Sequence, residues 1–221
     1  EKTSLNRPFF SCSENPLSGS AAKNPAPAFR RRAGNITHRY EARRPLSPVS
    51  PNDAKGGEAM APDRKRVDLG SNDVLIVVDV QKCFLPGGPL AVSEGDRVIG
   101  PLNRAIEKFQ RRQLPIFFSR DWHAPDHISF RQRGGPWPPH CVRASEGAAF
   151  PPELNVPENA MIVSKGTRRD EEEYSALAGR DGNRRLEEIL SGAGVERVFV
   201  GGVATDYCVL NTVLDAAGAG Y

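Results

Sequence analysis

The chain has 221 residues, of which 38% are hydrophobic and 26% are charged, and its formal net charge is +3. Residues 1–70 hold 4 Lys and 9 Arg against 3 Asp and 4 Glu, so the basic excess belongs to this segment and the remaining chain is acidic. This distribution gives no reason to expect a nucleic-acid surface on the folded part. No apolar run approaches the roughly 18 residues that a membrane-spanning helix needs, so we expect no membrane partner.

The N-terminal segment, residues 1–70, is rich in Pro, Ser, Asn and Arg and shows no apolar periodicity. Because it offers so little apolar surface to bury, it is predicted to be a disordered basic extension, with the folded domain spanning residues 71–221. Two interpretations of residues 1–59 stay open: an organelle transit peptide, or an upstream stretch outside the mature protein that starts at Met60. The first would place the protein in an organelle; otherwise we expect it in the cytoplasm.

The four cysteines are Cys12, Cys83, Cys141 and Cys208, which are irregularly spaced and form no CxxC pair. A disulfide framework is typical of much shorter secreted chains. The chain length and spacing therefore argue against a disulfide framework and favour a reducing compartment, while Cys83 could be a bystander or a site of oxidation.

Strand and helix patterns alternate from residue 73 onward. Short apolar runs predict strands over 74–78, 115–119, 160–164 and 198–200. Helical spacing of apolar residues follows Pro101, covers 186–190, and resumes after residue 205. This alternation predicts an α/β fold with a mostly parallel central sheet.

Polar side chains follow the predicted strands where each strand ends. They are Asp79, Asp121, Lys165 and Cys208. Taken singly, such an Asp is usually a turn residue and such a Lys a surface charge. Because parallel strands end at the same edge of a sheet, the fold would bring all four together. The sequence therefore predicts a catalytic site at this edge.

Cys208 is the candidate nucleophile. Gly201-Gly202 is predicted to stop the preceding strand, and Thr205 or Asp206 to cap a helix that carries Cys208 in its first turn. The positive end of the helix dipole favours a thiolate there. A buried structural cysteine is the alternative interpretation. Helical spacing predicts that the helix is buried against the sheet by Val209, Leu210, Val213, Leu214 and Ala217.

A metal site is a second hypothesis for the same edge. Asp121 and His123 are two residues apart, so their side chains share one side of an extended strand end. His140 could supply a third ligand and leave positions open for water or substrate, as in catalytic zinc sites. His127 could be a ligand, a support for a ligand or a plain loop residue. Trp137 could contact substrate or simply pack.

Over about residues 73–221, the chain resembles the nicotinamidases of the isochorismatase-like cysteine hydrolase superfamily. None of the motifs is specific to this family when taken alone, but the presence of all of them in the same order is. The motifs are Asp79-Val80-Gln81, Gly87-Gly88-Pro89-Leu90-Ala91-Val92, Arg120-Asp121-Trp122-His123, His127-Ile128-Ser129-Phe130, Trp137-Pro138-Pro139-His140-Cys141, Lys165-Gly166, Tyr174-Ser175 and Gly202-Val203-Ala204-Thr205-Asp206-Tyr207-Cys208-Val209. One departure is Lys82-Cys83, where the family commonly has Asn-Asp.

The resemblance implies a three-layer α/β/α fold and assigns roles to individual residues. It implies a catalytic triad of Asp79, Lys165 and Cys208, and a metal held by Asp121, His123 and His140. It further implies a cis peptide between Val203 and Ala204, with an oxyanion hole formed by the backbone N–H groups of Ala204 and Cys208. The walls of the substrate pocket would be Phe84, Trp137 and Tyr174.

The function that this resemblance implies is hydrolysis of nicotinamide to nicotinic acid and ammonia through a cysteine thioester, in NAD salvage. The expected cofactor is a divalent metal ion, zinc in the first place, with iron and manganese as alternatives. Alternative functions are hydrolysis of a ureido or N-carbamoyl compound, isochorismatase activity, and an inactive binding relative. Homo-oligomer formation stays open. Relatives continue beyond the position of Tyr221, so the domain is expected to be incomplete at its C-terminus.

Overall fold

The computed structural model describes residues 67–221, so the expectation for the N-terminal extension lies almost entirely outside the described residues. Six strands form one sheet in the order β5-β4-β3-β2-β1-β6. The strands are β1 (Asp73–Val78), β2 (Ile116–Asp121), β3 (Met161–Lys165), β4 (Arg180–Asp181), β5 (Arg184–Arg185) and β6 (Arg197–Gly202). β3, β2, β1 and β6 are parallel, whereas β4 and β5 are antiparallel. This hairpin was not predicted because its charged residues carry no apolar pattern.

Helices cover both faces of the sheet. They are α1 (Ile99–Arg111), α2 (Leu186–Gly192) and α3 (Cys208–Gly218). Val74, Ile76 and Val78 of β1 belong to the core cluster that includes buried residues of α2 and α3. Leu75 and Val77 point the other way, into the cluster that contains the buried face of α1. Alternate side chains of one strand thus enter two cores, which confirms the three-layer α/β/α prediction.

Gly202 lets β6 lie against β1 at the functional edge. Its φ is +147°, a conformation that side-chain-bearing residues rarely adopt. A Cβ at this position would collide with the Val78 carbonyl. The predicted strand end at Gly201-Gly202 was wrong: both glycines belong to β6, because this close approach continues the pairing with β1 to its last residue.

The predicted buried face of α3 was also wrong. Leu210, Val213 and Leu214 are 45%, 44% and 59% exposed, whereas Cys208, Thr212 and Ala216 are buried. Thr212 explains the orientation: its Oγ1 donates to the Cys208 carbonyl at 2.6 Å and accepts from the Ala176 N–H at 2.9 Å. Small or internally bonded side chains therefore form the buried face. The N-cap residue of α3 is Tyr207, whereas the sequence predicted Thr205 or Asp206 at this position.

The expectation that the chain has no disulfide framework does not hold for one pair of cysteines. Cys83 and Cys141 form a disulfide with a Cα–Cα distance of 5.8 Å, while Cys208 is a free thiol. The pair is 58 residues apart in sequence. Its partners meet only because the 3-10 turn Lys82–Phe84 and the loop after β2 fold over the same edge of the sheet. Over residues 67–221, no helix is long and apolar enough to cross a membrane.

Candidate active site

Lys165 is the centre of the candidate site. It ends β3, is fully buried, and lies 2.8 Å from Asp79 Oδ2 through its Nζ. The same Nζ contacts Asp121 Oδ1 and lies 3.4 Å from Cys208 Sγ. The structure therefore brings together all four polar residues that follow the predicted strands, and one ammonium group touches the other three.

Burial and charge act in opposite directions on these groups. Burial alone would lower the pKa of Lys165, but the charges of Asp121 and Asp79 raise it well above its usual value, so the ammonium stays charged. Burial raises the pKa of Cys208, and the charge of Lys165 opposes this shift only in part. Desolvation at this buried position therefore opposes the effect of the helix dipole, which favours the thiolate. Burial also raises the pKa of Asp79.

Asp79 is held in one orientation by its backbone and its neighbours. It follows β1 in the left-handed region with φ +51°. Its N–H donates to the Ser119 carbonyl at 3.2 Å, and its Oδ1 accepts from Ser119 Oγ at 2.7 Å. The other carboxylate oxygen is thus directed toward Lys165, where a proton acceptor for Cys208 is needed.

Gln81 gives a physical reason for the Asp79-Val80-Gln81 motif. Its buried amide accepts from the Asp121 N–H at 2.8 Å and donates to the Asp121 carbonyl at 2.9 Å. It also donates to the Ala148 carbonyl at 2.9 Å. One side chain after β1 therefore fixes the backbone at the end of β2, and with it the position of the Asp121 carboxylate.

Asp121, His123 and His140 form a group that suits a divalent metal ion. One ligand atom from each lies within 4.8 Å of the others. The Nδ1–H of His123 donates to the Gly166 carbonyl at 2.9 Å, and that of His140 to the Pro138 carbonyl at 2.8 Å, so both rings keep Nε2 for a metal. Burial lowers the pKa of His140 to about 4, which keeps its ring neutral. Two imidazoles and a carboxylate are a catalytic zinc donor set.

His127 supports this group without joining it. Its ring stacks on that of His123 with centroids 4.2 Å apart. Its Nδ1 accepts from the Ser129 N–H at 3.3 Å, and its Nε2 donates to the Glu171 carbonyl at 2.8 Å. Both ring nitrogens are therefore occupied, and of the three interpretations His127 fits that of a support for a ligand.

A cavity of about 190 Å³ opens above the thiol and the metal group. This is smaller than the roughly 300–1,000 Å³ of pockets for drug-sized ligands, so it suits a single small ring. The three predicted wall residues all line it. The full lining is Phe84, Leu90, Ala91, Val92, Asp121, His123, Trp137, His140, Glu172, Tyr174, Ala204, Asp206, Tyr207 and Cys208.

Sequence reasoning assigned no pocket role to six residues of this lining, and two of these, Tyr207 and Glu172, add a ring and a carboxyl group to it. Tyr207 packs edge-on against Trp137 with ring centroids 5.1 Å apart, and its ring lies 6.0 Å from that of Tyr174. Its place directly before Cys208 was a usable signal. Glu172 also lines the cavity, and burial raises the pKa of its carboxyl. It lies in a run of acidic residues, and no local pattern distinguishes it from its acidic neighbours.

The loop before α3 carries the remaining predicted feature. The peptide between Val203 and Ala204 is cis, as the resemblance implied. The Ala204 carbonyl accepts from the N–H groups of Tyr207 and Val209, each at 3.1 Å. These bonds fold the loop so that Ala204 and Cys208 both line the cavity.

Comparisons with known proteins agree with this architecture. The nicotinamidase of Acinetobacter baylyi is 36% identical over 173 residues, which cover 70% of this chain and 79% of that protein. The zinc complex of the pyrazinamidase of Pyrococcus horikoshii is 49% identical with a TM-score of 0.63, and 68% of this chain covers 80% of it. PnC1 from L. infantum in complex with nicotinate is 38% identical with a TM-score of 0.64, and 70% of this chain covers 79% of it.

The sequence predicted a folded domain over residues 71–221, and the family comparison covers all of it except residues 71 and 72. The model of the isochorismatase domain matches residues 73–221, from the start of β1 to the last residue. This range contains the triad candidates, the metal group and the cavity lining described above. The chain is therefore a member of the isochorismatase family.

Proposed function

We propose that this chain hydrolyses nicotinamide to nicotinic acid and ammonia, as an enzyme of NAD salvage. The observation that carries the proposal is the contact of Lys165 with Asp79, Asp121 and Cys208 at the floor of a small, aromatic-walled cavity. Similarity to a nicotinamidase and to a nicotinate complex supports this choice of substrate.

In the proposed reaction, Asp79 takes the proton of the Cys208 thiol while Lys165 holds both groups in place. The sulfur attacks the carboxamide carbon, and the Asp79 proton then passes to the nitrogen as the C–N bond breaks and ammonia leaves. Water attacks the resulting thioester and returns its proton through Asp79, which releases nicotinic acid and restores the thiol.

The negative oxygen that forms in each attack would be held by the backbone N–H groups of Ala204 and Cys208. Such donors typically contribute about 3 kcal/mol each to the stability of the transition state. Burial raises the pKa of the Cys208 thiol, and Asp79 is the carboxyl group placed close enough to accept its proton.

Asp121, His123 and His140 would hold the divalent ion, which we propose to be zinc, with iron and manganese as alternatives. Such an ion would supply a Lewis acid, whose task would be to orient an aromatic amide through its ring nitrogen, directly or through a water molecule. Phe84, Trp137 and Tyr174 would form the walls that contact the two faces and the edge of that ring.

Hydrolysis of a ureido compound would use the same triad. The aromatic walls favour a flat ring over such a chain-like substrate, and the carboxylate of Glu172 in the cavity lining disfavours the anionic compounds of that class. The assembled triad also argues against an inactive binding relative, since a binding protein does not need three buried charged or nucleophilic groups in contact.

The experiment that tests the proposal is ammonia release by the purified full chain, with bound metal quantified. Nicotinamide should be turned over and benzamide, which lacks the ring nitrogen, should be turned over much more slowly. An N-carbamoyl amino acid is the probe for the alternative activity. Faster hydrolysis of that compound than of nicotinamide, or equal rates for nicotinamide and benzamide, would contradict the proposal.

A further inference from the structure

The Cys83–Cys141 disulfide lies between the substrate wall and the metal group. Cys83 directly precedes Phe84, and Cys141 directly follows His140. Both cysteines are buried, and they form one core cluster with Phe84 and neighbouring residues. The Phe84 ring in turn packs against the His140 ring with centroids 5.6 Å apart. The bond therefore joins the segment that carries Phe84 to the segment that carries His140.

Cys141 also connects the two histidines of the metal group. Its carbonyl accepts a hydrogen bond from the His123 N–H at 3.0 Å. Its backbone nitrogen forms the peptide bond with His140. Its φ of +42° lies in the left-handed region, which few non-glycine residues occupy. A covalent tie to Cys83 holds this backbone in place. Reduction of the disulfide would therefore release the Cys141 backbone, which contacts His123 and is bonded to His140.

From this position we propose that the Cys83–Cys141 pair is a redox site whose oxidation state sets how tightly Asp121, His123 and His140 hold their metal ion. The inference rests on the metal site of the proposed function. The disulfide form is the tight-binding form. In the dithiol form the two sulfurs move apart in a buried site without free space, so the segments that carry Phe84 and His140 shift relative to each other.

The chemistry is thiol–disulfide exchange with a small-molecule disulfide. One cysteine thiolate attacks the small disulfide and releases one thiol, which leaves a mixed disulfide on the protein. The second thiolate attacks that mixed disulfide, forms the Cys83–Cys141 bond and releases the second thiol. Two protein thiols are oxidised and one disulfide is reduced, and the two protons end on the released thiols. A thiol reductant reverses both steps.

The reagent would reach the pair through the turn that covers Cys83. Gly147 of the 3-10 turn Glu146–Ala148 lies over it: a Cβ there would stand 3.6 Å from Cys83 Cβ. This turn is held partly by the Lys82–Glu146 ion pair, whose side chains are 37% and 86% exposed. Besides this exposed pair, two hydrogen bonds of 2.9 Å hold the turn, from the Gln81 amide to the Ala148 carbonyl and from the Lys82 N–H to the Ala149 carbonyl. The reagent therefore reaches Cys83 when these few contacts open together in a local unfolding event.

The test compares the full chain in two redox states. The metal-free protein is incubated with glutathione disulfide or with a reductant that is then removed, and its free thiols are alkylated in denaturant and counted by mass spectrometry. After oxidation we expect Cys83 and Cys141 to be recovered as one disulfide-linked pair of peptides, and after reduction we expect both to be alkylated. Zinc affinity is then measured by competition with a coloured chelator. Reduction should weaken it about tenfold or more, the range typical for loss of support around metal ligands.

Variants separate the link from other effects of the reagents. Cys83→Ser should bind zinc as weakly as the reduced chain in both conditions, whereas Cys12→Ser should respond to the redox state like the unaltered chain. Alkylation of both Cys83 and Cys141 after oxidation, or equal zinc affinity in the two states, would overturn the inference alone. Failure to bind zinc in either state would overturn the metal site of the proposed function, and this inference with it.

Discussion

Asp121 uses its two carboxylate oxygens for two different parts of the site. Its Oδ1 contacts the Nζ of Lys165, and its Oδ2 lies 3.5 Å from Nε2 of His123. Burial alone would raise the pKa of Asp121, but the charge of Lys165 lowers it, so it stays ionised. The negative charge of Asp121 therefore belongs both to the metal group and to the contacts that Lys165 makes around Cys208. A change at Asp121 is expected to affect metal binding and the Cys208 thiol together.

The shared charge can be tested with Asp121→Asn. Asp121 helps to raise the pKa of Cys208, so its neutralisation should lower that pKa and shift the pH midpoint of Cys208 alkylation downward. In the unaltered chain this midpoint should lie above that of the denatured chain, because burial raises the thiol pKa. The measurement is iodoacetamide labelling of Cys208 against pH, on metal-free protein.

His140→Ala is the matched control for that experiment. It removes a member of the metal group that has no contact with Lys165, so zinc should be lost while the metal-free alkylation profile stays close to that of the unaltered chain. Identical profiles for Asp121→Asn and the unaltered chain would show that the two groups are independent.

The nucleophile is tested with Cys208→Ala. We expect ammonia release from nicotinamide to fall by about 10⁴-fold or more, as for other enzymes that lose their nucleophile. The free energy of unfolding should change by less than about 1 kcal/mol, because the substitution removes one sulfur atom and no charge. Urea denaturation followed by circular dichroism checks the fold. Residual activity above one tenth would remove Cys208 from the triad.

Gly166 is expected to be required for the metal group. Its φ is +58°, and a Cβ would collide with the His123 ring. Gly166→Ala should therefore weaken zinc binding about tenfold or more. Gly182→Ala is the matched control: its φ is +57°, and no atom lies within 4 Å of the added Cβ. In both variants the free energy of unfolding should fall by about 1–2 kcal/mol, because alanine is strained in the left-handed backbone conformation. Equal zinc affinity in the two would contradict the prediction.

Tyr207 is expected to contribute to substrate binding through its ring. Tyr207→Ala removes the edge contact with Trp137 and should raise KM for nicotinamide several-fold, since aromatic pairs contribute about 0.5–1.5 kcal/mol. Tyr207→Phe keeps the ring and should leave KM nearly unchanged. Steady-state kinetics of both variants decide the matter, and a similar loss in both would assign the effect to the hydroxyl group instead.

The buried face of α3 can be tested with an isosteric pair of neighbours. Thr212→Val leaves the Ala176 N–H without its buried acceptor, so it should lower the free energy of unfolding by about 1–3 kcal/mol. Val213→Thr changes an exposed position and should cost less than about 0.5 kcal/mol. Chemical denaturation of both variants measures this difference. The opposite order would restore the orientation of α3 that helical spacing predicted.

The sequence by itself determined the parallel sheet and the common edge of Asp79, Asp121, Lys165 and Cys208. Apolar runs mark strands through their local pattern, and parallel strands necessarily end on one side. Only the tertiary structure decided that Asp121 touches Lys165, that Cys83 bonds Cys141, and which face of α3 is buried. These features depend on contacts between segments far apart in the chain, and a local pattern of hydrophobicity carries no information about how such segments pack against one another.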